Sequence, residues 1–131
     1  MNILLLDDNS HRITFFQNAL KQHKLTVCRH ARTAIRALKA TSFDIIFLDH
    51  DLEGEPSDPD DENCGSEVAR FIADHDIDCP CIILYTENRI GRESMQGILP
   101  HSETIPYGKL KKAGVYAIIK RSEETPPSPK I

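Results

Sequence analysis

The stretch Ile3-Leu4-Leu5-Leu6-Asp7-Asp8-Asn9, read together with Phe43-Asp44-Ile45-Ile46-Phe47-Leu48-Asp49, decides the fold. Each is a short apolar run that stops at a carboxylate. Runs this short, with no polar alternation, predict strands covered on both faces, which is the signature of a parallel sheet. Working outward, Ser10 is placed to cap a helix in which Ile13, Phe16, Ala19 and Leu20 recur at helical spacing. Residues 25–28 predict a second strand, and residues 31–40 a helix with Ala34, Ile35 and Leu38 on one face. Residues 43–48 form the third strand, followed after Gly65 by a helix carrying Val68, Ala69, Phe71 and Ile72. Residues 82–85 predict the fourth strand, 93–99 a short helix, 103–107 the fifth strand, and 109–121 a last helix burying Leu110, Ala113, Ala117 and Ile118.

Five strand-helix repeats imply a single doubly wound α/β domain, with a five-stranded parallel sheet and helices on both faces. The domain is expected to span residues 1–122, with a long acidic loop at 53–64 and a Pro-rich, disordered tail at 123–131. A rival register makes 115–119 the fifth strand, but it leaves no helix to cover the sheet before the tail.

A chain of 131 residues with 40% hydrophobic and 27% charged residues has the size and composition of one globular domain. Its apolar runs are far below the roughly 20 residues that span a bilayer, so no membrane partner is expected. Met1 leads directly into strand residues, which reads as a strand and not as a leader. The expected location is cytoplasmic, with Cys28, Cys64, Cys79 and Cys81 as free thiols. Cys79-Pro80-Cys81 lacks the second ligand pair of a zinc site. A net charge of −4 argues against binding along a DNA backbone. The local basic group of Lys109, Lys111, Lys112, Lys120 and Arg121 reads as a solvated helix face.

In such sheets ligands bind at the carboxyl ends of the strands. Those ends carry Asp7-Asp8, Asp49-His50-Asp51, Thr86-Glu87-Asn88 and Tyr107. A lone Asp there is explained by helix capping. A tandem pair after one strand and an Asp-His-Asp after its neighbour point instead to Mg²⁺ or Mn²⁺ on Asp7, Asp8 and Asp49, since hard cations take oxygen ligands. His50 has two readings: a proton donor between two acids, or a side chain that strand alternation turns into packing. Arg12 also has two: a phosphate clamp, or cover for the first helix. The acids Asp58, Asp60, Asp61 and Glu62 lack calcium-loop spacing and read as a solvated loop. His11, His23, His30, His75 and His101 carry no signal.

The runs ILLLDDN (3–9), FDIIFLD (43–49), GSEVARFI (65–72) and CIILYT (81–86) resemble a receiver domain over nearly the whole chain. That resemblance implies Mg²⁺ on the paired acids, phosphoryl transfer to Asp49, and a phosphoryl contact from Thr86. It also implies a Lys near the end of strand five. Ile105 stands there in the preferred register, and Lys120 would serve in the rival one; Lys109 is the other lysine close in sequence. LLDDNSHR (5–12), FLDHDL (47–52), YTEN (85–88) and GRESM (91–95) more closely resemble the cyclic-phosphate-processing receiver variant. This implies a catalytic set of Asp49, His50, Asp51, Thr86 and Asn88, with Arg12 and Thr86 on phosphate. Tyr85 departs from the His usual in that variant. Three functions follow as expectations: hydrolysis of a cyclic phosphate on a small nucleotide or RNA end, a phosphoacceptor switch served by a histidine kinase and a downstream protein, or a non-catalytic adaptor with the acidic loop as lid.

Overall fold

The computed structural model describes residues 1–124. The apolar runs pair as parallel strands in the order β2-β1-β3-β4-β5. These are β1 (Asn2–Leu6), β2 (Lys24–Cys28), β3 (Ile45–Leu48), β4 (Cys81–Leu84) and β5 (Glu103–Thr104). Between them lie α1 (Ser10–Ala19), α2 (Ala31–Ala40), α3 (Gly65–Asp74) and α4 (Arg89–Ile98). After β5 the chain forms a short turn α5 (Tyr107–Lys109), a π-helical turn (Leu110–Gly114) and α6 (Val115–Glu124). The tail was expected from residue 123, but Glu123 and Glu124 still belong to α6; the rest of that expectation, 125–131, lies outside the described residues.

Period-two alternation divides the core in two. Leu4, Leu6, Ile46, Leu48 and Leu84 face Ala34 and Leu38 of α2, Val68 and Ile72 of α3, and Met95 of α4. Ile3, Leu5, Ile45, Phe47 and Ile83 face Ile13 and Phe16 of α1 with Val115 and Ile118 of α6. Both faces of the central strands are therefore dry, which is why their sequence is continuously apolar.

Several boundaries differ from expectation for identifiable reasons. Asn9, not Ser10, caps α1: its side chain accepts from the Arg12 amide, and Ser10 is the first helical residue. Helix α4 begins at Arg89, four residues early, because Asn88 caps it by accepting from the Gly91 amide. Exposed Ile90 and the helix-weakening Gly91 had masked that first turn. Strand β5 stops at Thr104; the Ile105 amide still donates to Leu84 O at 2.9 Å, and Pro106 then offers no donor. Residues 115–119 are helical, so the rival strand register does not occur. The π turn inserts one residue, so the buried positions are Leu110, Val115 and Ile118, while Ala113 and Ala117 face outward.

The acidic loop is pinched at its base. Asp51 and Cys64 form an antiparallel bridge, and the Gly65 amide donates to His50 O at 2.9 Å. A Cβ on Gly65 would meet Asp49 O at 2.2 Å, so only glycine lets α3 start this close to the end of β3. Within the loop Asp58 and Asp61 accept from the amides of Asp60 and Asn63 at 2.9 Å. These two acids fold the loop as well as solvate it.

Candidate metal and phosphate site

The strand order reverses between β1 and β3, and ligand clefts form at such a switch point. The ladder runs one residue past each strand: Asp7 N donates to Cys28 O, Asp49 N to Leu6 O and Tyr85 N to Leu48 O. Asp7, Asp49 and Tyr85 are thereby fixed in one layer by backbone bonds. Asp7, Asp8 and Asp49 present carboxylate oxygens within 4.8 Å of one another. Asp7 and Asp49 are buried and Asp8 is half-buried. Oxygen-only donors at this spacing fit a hard divalent cation such as Mg²⁺ or Mn²⁺.

The side chain of Arg12 reaches back from the first turn of α1 into this cluster. Its Nε donates to Asp7 Oδ2 at 2.8 Å and its Nη2 to Asp7 Oδ1 at 3.0 Å. The same Nη2 donates to Asp49 Oδ2 at 3.0 Å. The guanidinium therefore lies not on the outer surface of α1 but against the two acids at the strand ends. Hydrogen bonding to Asp7 outweighs the opposing effect of burial and, with the charges of Asp7 and Asp49, holds Arg12 firmly protonated. Asp7 also accepts from the Asn9 amide at 2.9 Å and from the Tyr85 hydroxyl at 2.7 Å. Burial and then the Asp7 and Asp49 charges push the Tyr85 phenol well above its ordinary range, so it is a donor here and not an anion. Sequence reading missed this hydroxyl; its signal was the unusual residue in YTEN.

Asp49 is held differently. Burial, and then the neighbouring charge of Asp7, push its carboxyl up to about 7. Arg12, the His50 amide and the Thr86 hydroxyl pull it down without cancelling that rise. The His50 amide donates to Asp49 Oδ1 at 2.8 Å. Without a cation the site therefore disfavours the charged form of Asp49.

The Asp-His-Asp motif splits across two environments. His50 is fully buried, with Nδ1 at 3.1 Å from Asp51 Oδ1 and Nε2 at 3.0 Å from Ser66 Oγ. Ser66 Oγ lies 2.8 Å from Ser94 Oγ, so a polar chain runs from Asp51 through His50 into α3 and α4. His50 packs beneath Gly91, where a Cβ would meet its ring at 2.3 Å. Of the two readings of His50, this enclosed ring with both nitrogens partnered has the arrangement that the packing alternative describes. Asp51 Oδ1 accepts from the Ser57 amide and Asn88 Nδ2, both at 2.9 Å. Burial raises the Asp51 carboxyl, but the combined donors Asn88, Ser57 and His50 bring it below its ordinary value.

A cleft of about 460 Å³ opens above the acids. Arg12, Asp8, Asp49, Asp51, Thr86 and Tyr107 line it, and Gly54, Glu55 and Pro56 of the acidic loop form its far wall. His50 and Asn88 are not among the lining residues. Asn88 instead joins Asp51, the Gly91 amide and Ser57 O. Tyr107, which sequence reading placed at a strand end without a role, stands with Arg12 Cζ 5.9 Å from its ring centre. Lys109 and Lys120 are exposed and outside the cleft lining, Lys111 stands over the Tyr107 ring at 5.8 Å, and among the described residues Arg12 is the cationic side chain that lines the cleft.

Comparison with solved structures places this architecture among receiver domains. The CheY-like receiver of Methanospirillum hungatei JF-1 superposes with a TM-score of 0.72 at 13% identity, covering 94% of each chain. The non-phosphorylated HemR receiver of Leptospira biflexa gives 0.71 at 19% identity, covering 98% of each. The response regulator TrrA of Thermotoga maritima, solved in complex with Mg²⁺–BeF, gives 0.67 at 18% identity over 92% of this chain and 97% of that one. No curated protein was found to match. The family model described as the cyclic-phosphate processing receiver domain matches residues 2–101, and the chain belongs to that family. Among the described residues no helix is long and apolar enough to cross a membrane.

Proposed function

We propose that the cleft binds and opens a cyclic phosphate ester, on a small nucleotide or an RNA end, with Mg²⁺ or Mn²⁺ held by Asp7, Asp8 and Asp49. The observation that carries this reading is the placement of Arg12, an arginine fork joined to both Asp7 and Asp49 on the wall of an open, acid-floored cleft. A receiver that only accepts a phosphoryl group has no need of a fork suited to bidentate phosphate recognition. A bound divalent cation would supply electrophilic activation of the phosphoryl oxygen. Arg12, once a cation takes its place on Asp7 and Asp49, orients the phosphate with Thr86, and Asp51, ionised at the cleft wall, orients water. Water oxygen bonds to phosphorus, one ring P–O ester bond breaks, and the water proton ends on the released hydroxyl. His50 and Asn88 act by holding Asp51.

The test is incubation of purified protein with 2′,3′- and 3′,5′-cyclic mononucleotides, cyclic dinucleotides and RNA bearing a cyclic end, with and without Mg²⁺ or Mn²⁺. Metal-dependent opening that Asp49→Asn abolishes is expected, and absence of turnover on all of them removes the hydrolytic reading. The second reading keeps Asp49 as a phosphoacceptor serving a kinase and a downstream partner. It is favoured by Asp49 and Thr86 closing adjacent strands, as the resemblance to receivers implies. Beryllofluoride with fluorine NMR separates the two, because a bound fluoride signal dependent on Asp49 is required by the switch alone.

A further inference from the structure

We infer that Arg12 is a built-in counter-cation that a divalent metal must displace, and that its displacement makes metal and phosphate bind cooperatively. This rests on the metal reading above and adds how the site is controlled.

The argument starts from the saturation of Asp7. A carboxylate offers about four lone-pair sites. On Asp7, Oδ1 accepts from the Asn9 amide and Arg12 Nη2, and Oδ2 accepts from Arg12 Nε and the Tyr85 hydroxyl. All four are filled. Two of these positions cannot be vacated: Asn9 N belongs to the backbone that caps α1, and the Tyr85 oxygen, which also lies 3.0 Å from Leu6 O, is held against Asp7 Oδ2 by a fully enclosed ring. A metal can therefore reach Asp7 only along the directions that Arg12 occupies. Asp49 Oδ2 is committed to the same guanidinium.

Arg12 is also the member of the cluster that can move. Its side chain is 30% exposed while that of Asp7 is fully enclosed, and it stands at the cleft wall beside the Tyr107 ring. Exchange of the guanidinium for a divalent ion replaces one positive charge by two beside three carboxylates. It leaves a cation facing the cleft with its fork unpaired, and the two non-bridging oxygens of a phosphate group match that fork. Metal thus favours phosphate, and by linkage phosphate favours metal to the same degree. Without metal, Arg12 stays on its acids and the phosphate site is closed.

The experiment is calorimetric titration of Mg²⁺ into the full chain, as wild type, Arg12→Gln, Arg12→Lys and Asp49→Asn, each with and without inorganic phosphate. Wild type is expected to bind Mg²⁺ on the order of tenfold more tightly when phosphate is present, within the usual range of coupling between sites. Arg12→Gln is expected to bind Mg²⁺ more tightly than wild type by a similar factor and to lose the phosphate effect. Arg12→Lys, which keeps the charge but not the fork, falls between. Equal Mg²⁺ affinity in wild type and Arg12→Gln, or weaker binding in the variant, overturns the inference and leaves the metal site standing. A phosphate effect of the same size in both proteins overturns it as well. Failure of folded wild type to bind Mg²⁺ removes the metal reading and this inference together. Should Arg12→Gln not fold, the phosphate dependence of wild type and Arg12→Lys decides the matter.

Discussion

The side-chain amide of Asn88 donates to Asp51 Oδ1 at 2.9 Å, joining the first turn of α4 to the base of the acidic loop. The same residue caps α4 through its carbonyl oxygen, so one side chain serves two elements. Asn88→Ala should cost about 0.5–2 kcal/mol, the usual worth of a cap. Asn88→Ser, which can keep the cap but cannot reach Asp51, should cost less in urea denaturation yet still speed limited proteolysis between residues 53 and 63. Loop cleavage at the wild-type rate in both variants would show that the tether has no such role.

Gly91 is required by His50, not by its backbone angles. Gly91→Ala gains helix propensity, but a Cβ 2.3 Å from His50 Cγ must force a shift. Overpacking of this kind costs about 1–3 kcal/mol, more than the roughly 1 kcal/mol gained by removing glycine from a helix. The penalty should shrink in a His50→Ala background, which a double-mutant cycle in denaturant measures directly.

The Asp49 carboxyl, pushed up to about 7, sets a pH dependence whose sign is fixed. An acid with a folded pKa above its unfolded value of about 3.9 binds more protons in the folded state between those limits. Its contribution to stability is present at low pH and is lost as pH rises towards 7. Metal-free protein should therefore show an Asp49-dependent decline in stability from about pH 4 to 7, which Asp49→Asn removes. At neutral pH that variant should melt at or above the wild-type temperature in chelator and should lose the Mg²⁺-induced rise. Because a ligating carboxylate must be ionised, wild-type Mg²⁺ affinity should climb with pH and level off above about 7.

Tyr85→Phe removes only the hydroxyl that meets Asp7 at 2.7 Å. Ring packing against Phe16 is retained, so the change removes the buried bond to Asp7 together with the weaker contact of the same hydroxyl with Leu6 O at 3.0 Å. A loss of about 1.5–3 kcal/mol at pH 7 is expected, the range for hydrogen bonds to charged groups. A variant as stable as wild type would mean that Asp7 recovers the lost donor from Arg12 or water.

The legible parts of the molecule were those that obey one local rule. Strands β1 and β3 announce themselves because burial on both faces forces continuous apolar runs, and their terminal acids mark the cleft. Helix α4 was misjudged at its start because Asn88-Arg89-Ile90-Gly91 carries the cap but no apolar spacing. The apolar face of the last helix was misassigned because a π turn changes phase without any residue announcing it. The inner structure of the site was hidden for another reason. Arg12 meets Asp49 across 37 positions and Tyr85 meets Asp7 across 78, contacts that exist only once β1, β3 and β4 lie side by side. His50 could be read either way until Gly91 was seen to lie over its ring.

Glu103 and Thr104 are the whole of β5, exposed on the rim of the sheet and followed closely by Pro106. A border strand this brief, charged and ended by a residue without an amide hydrogen gives an approaching chain almost no ladder to extend. The opposite border, β2, is five residues long and opens with Lys24. The sheet is therefore lopsided as a template for aggregation: fibril-like growth is stopped on one flank by brevity, and on the other it is left to a single lysine to discourage.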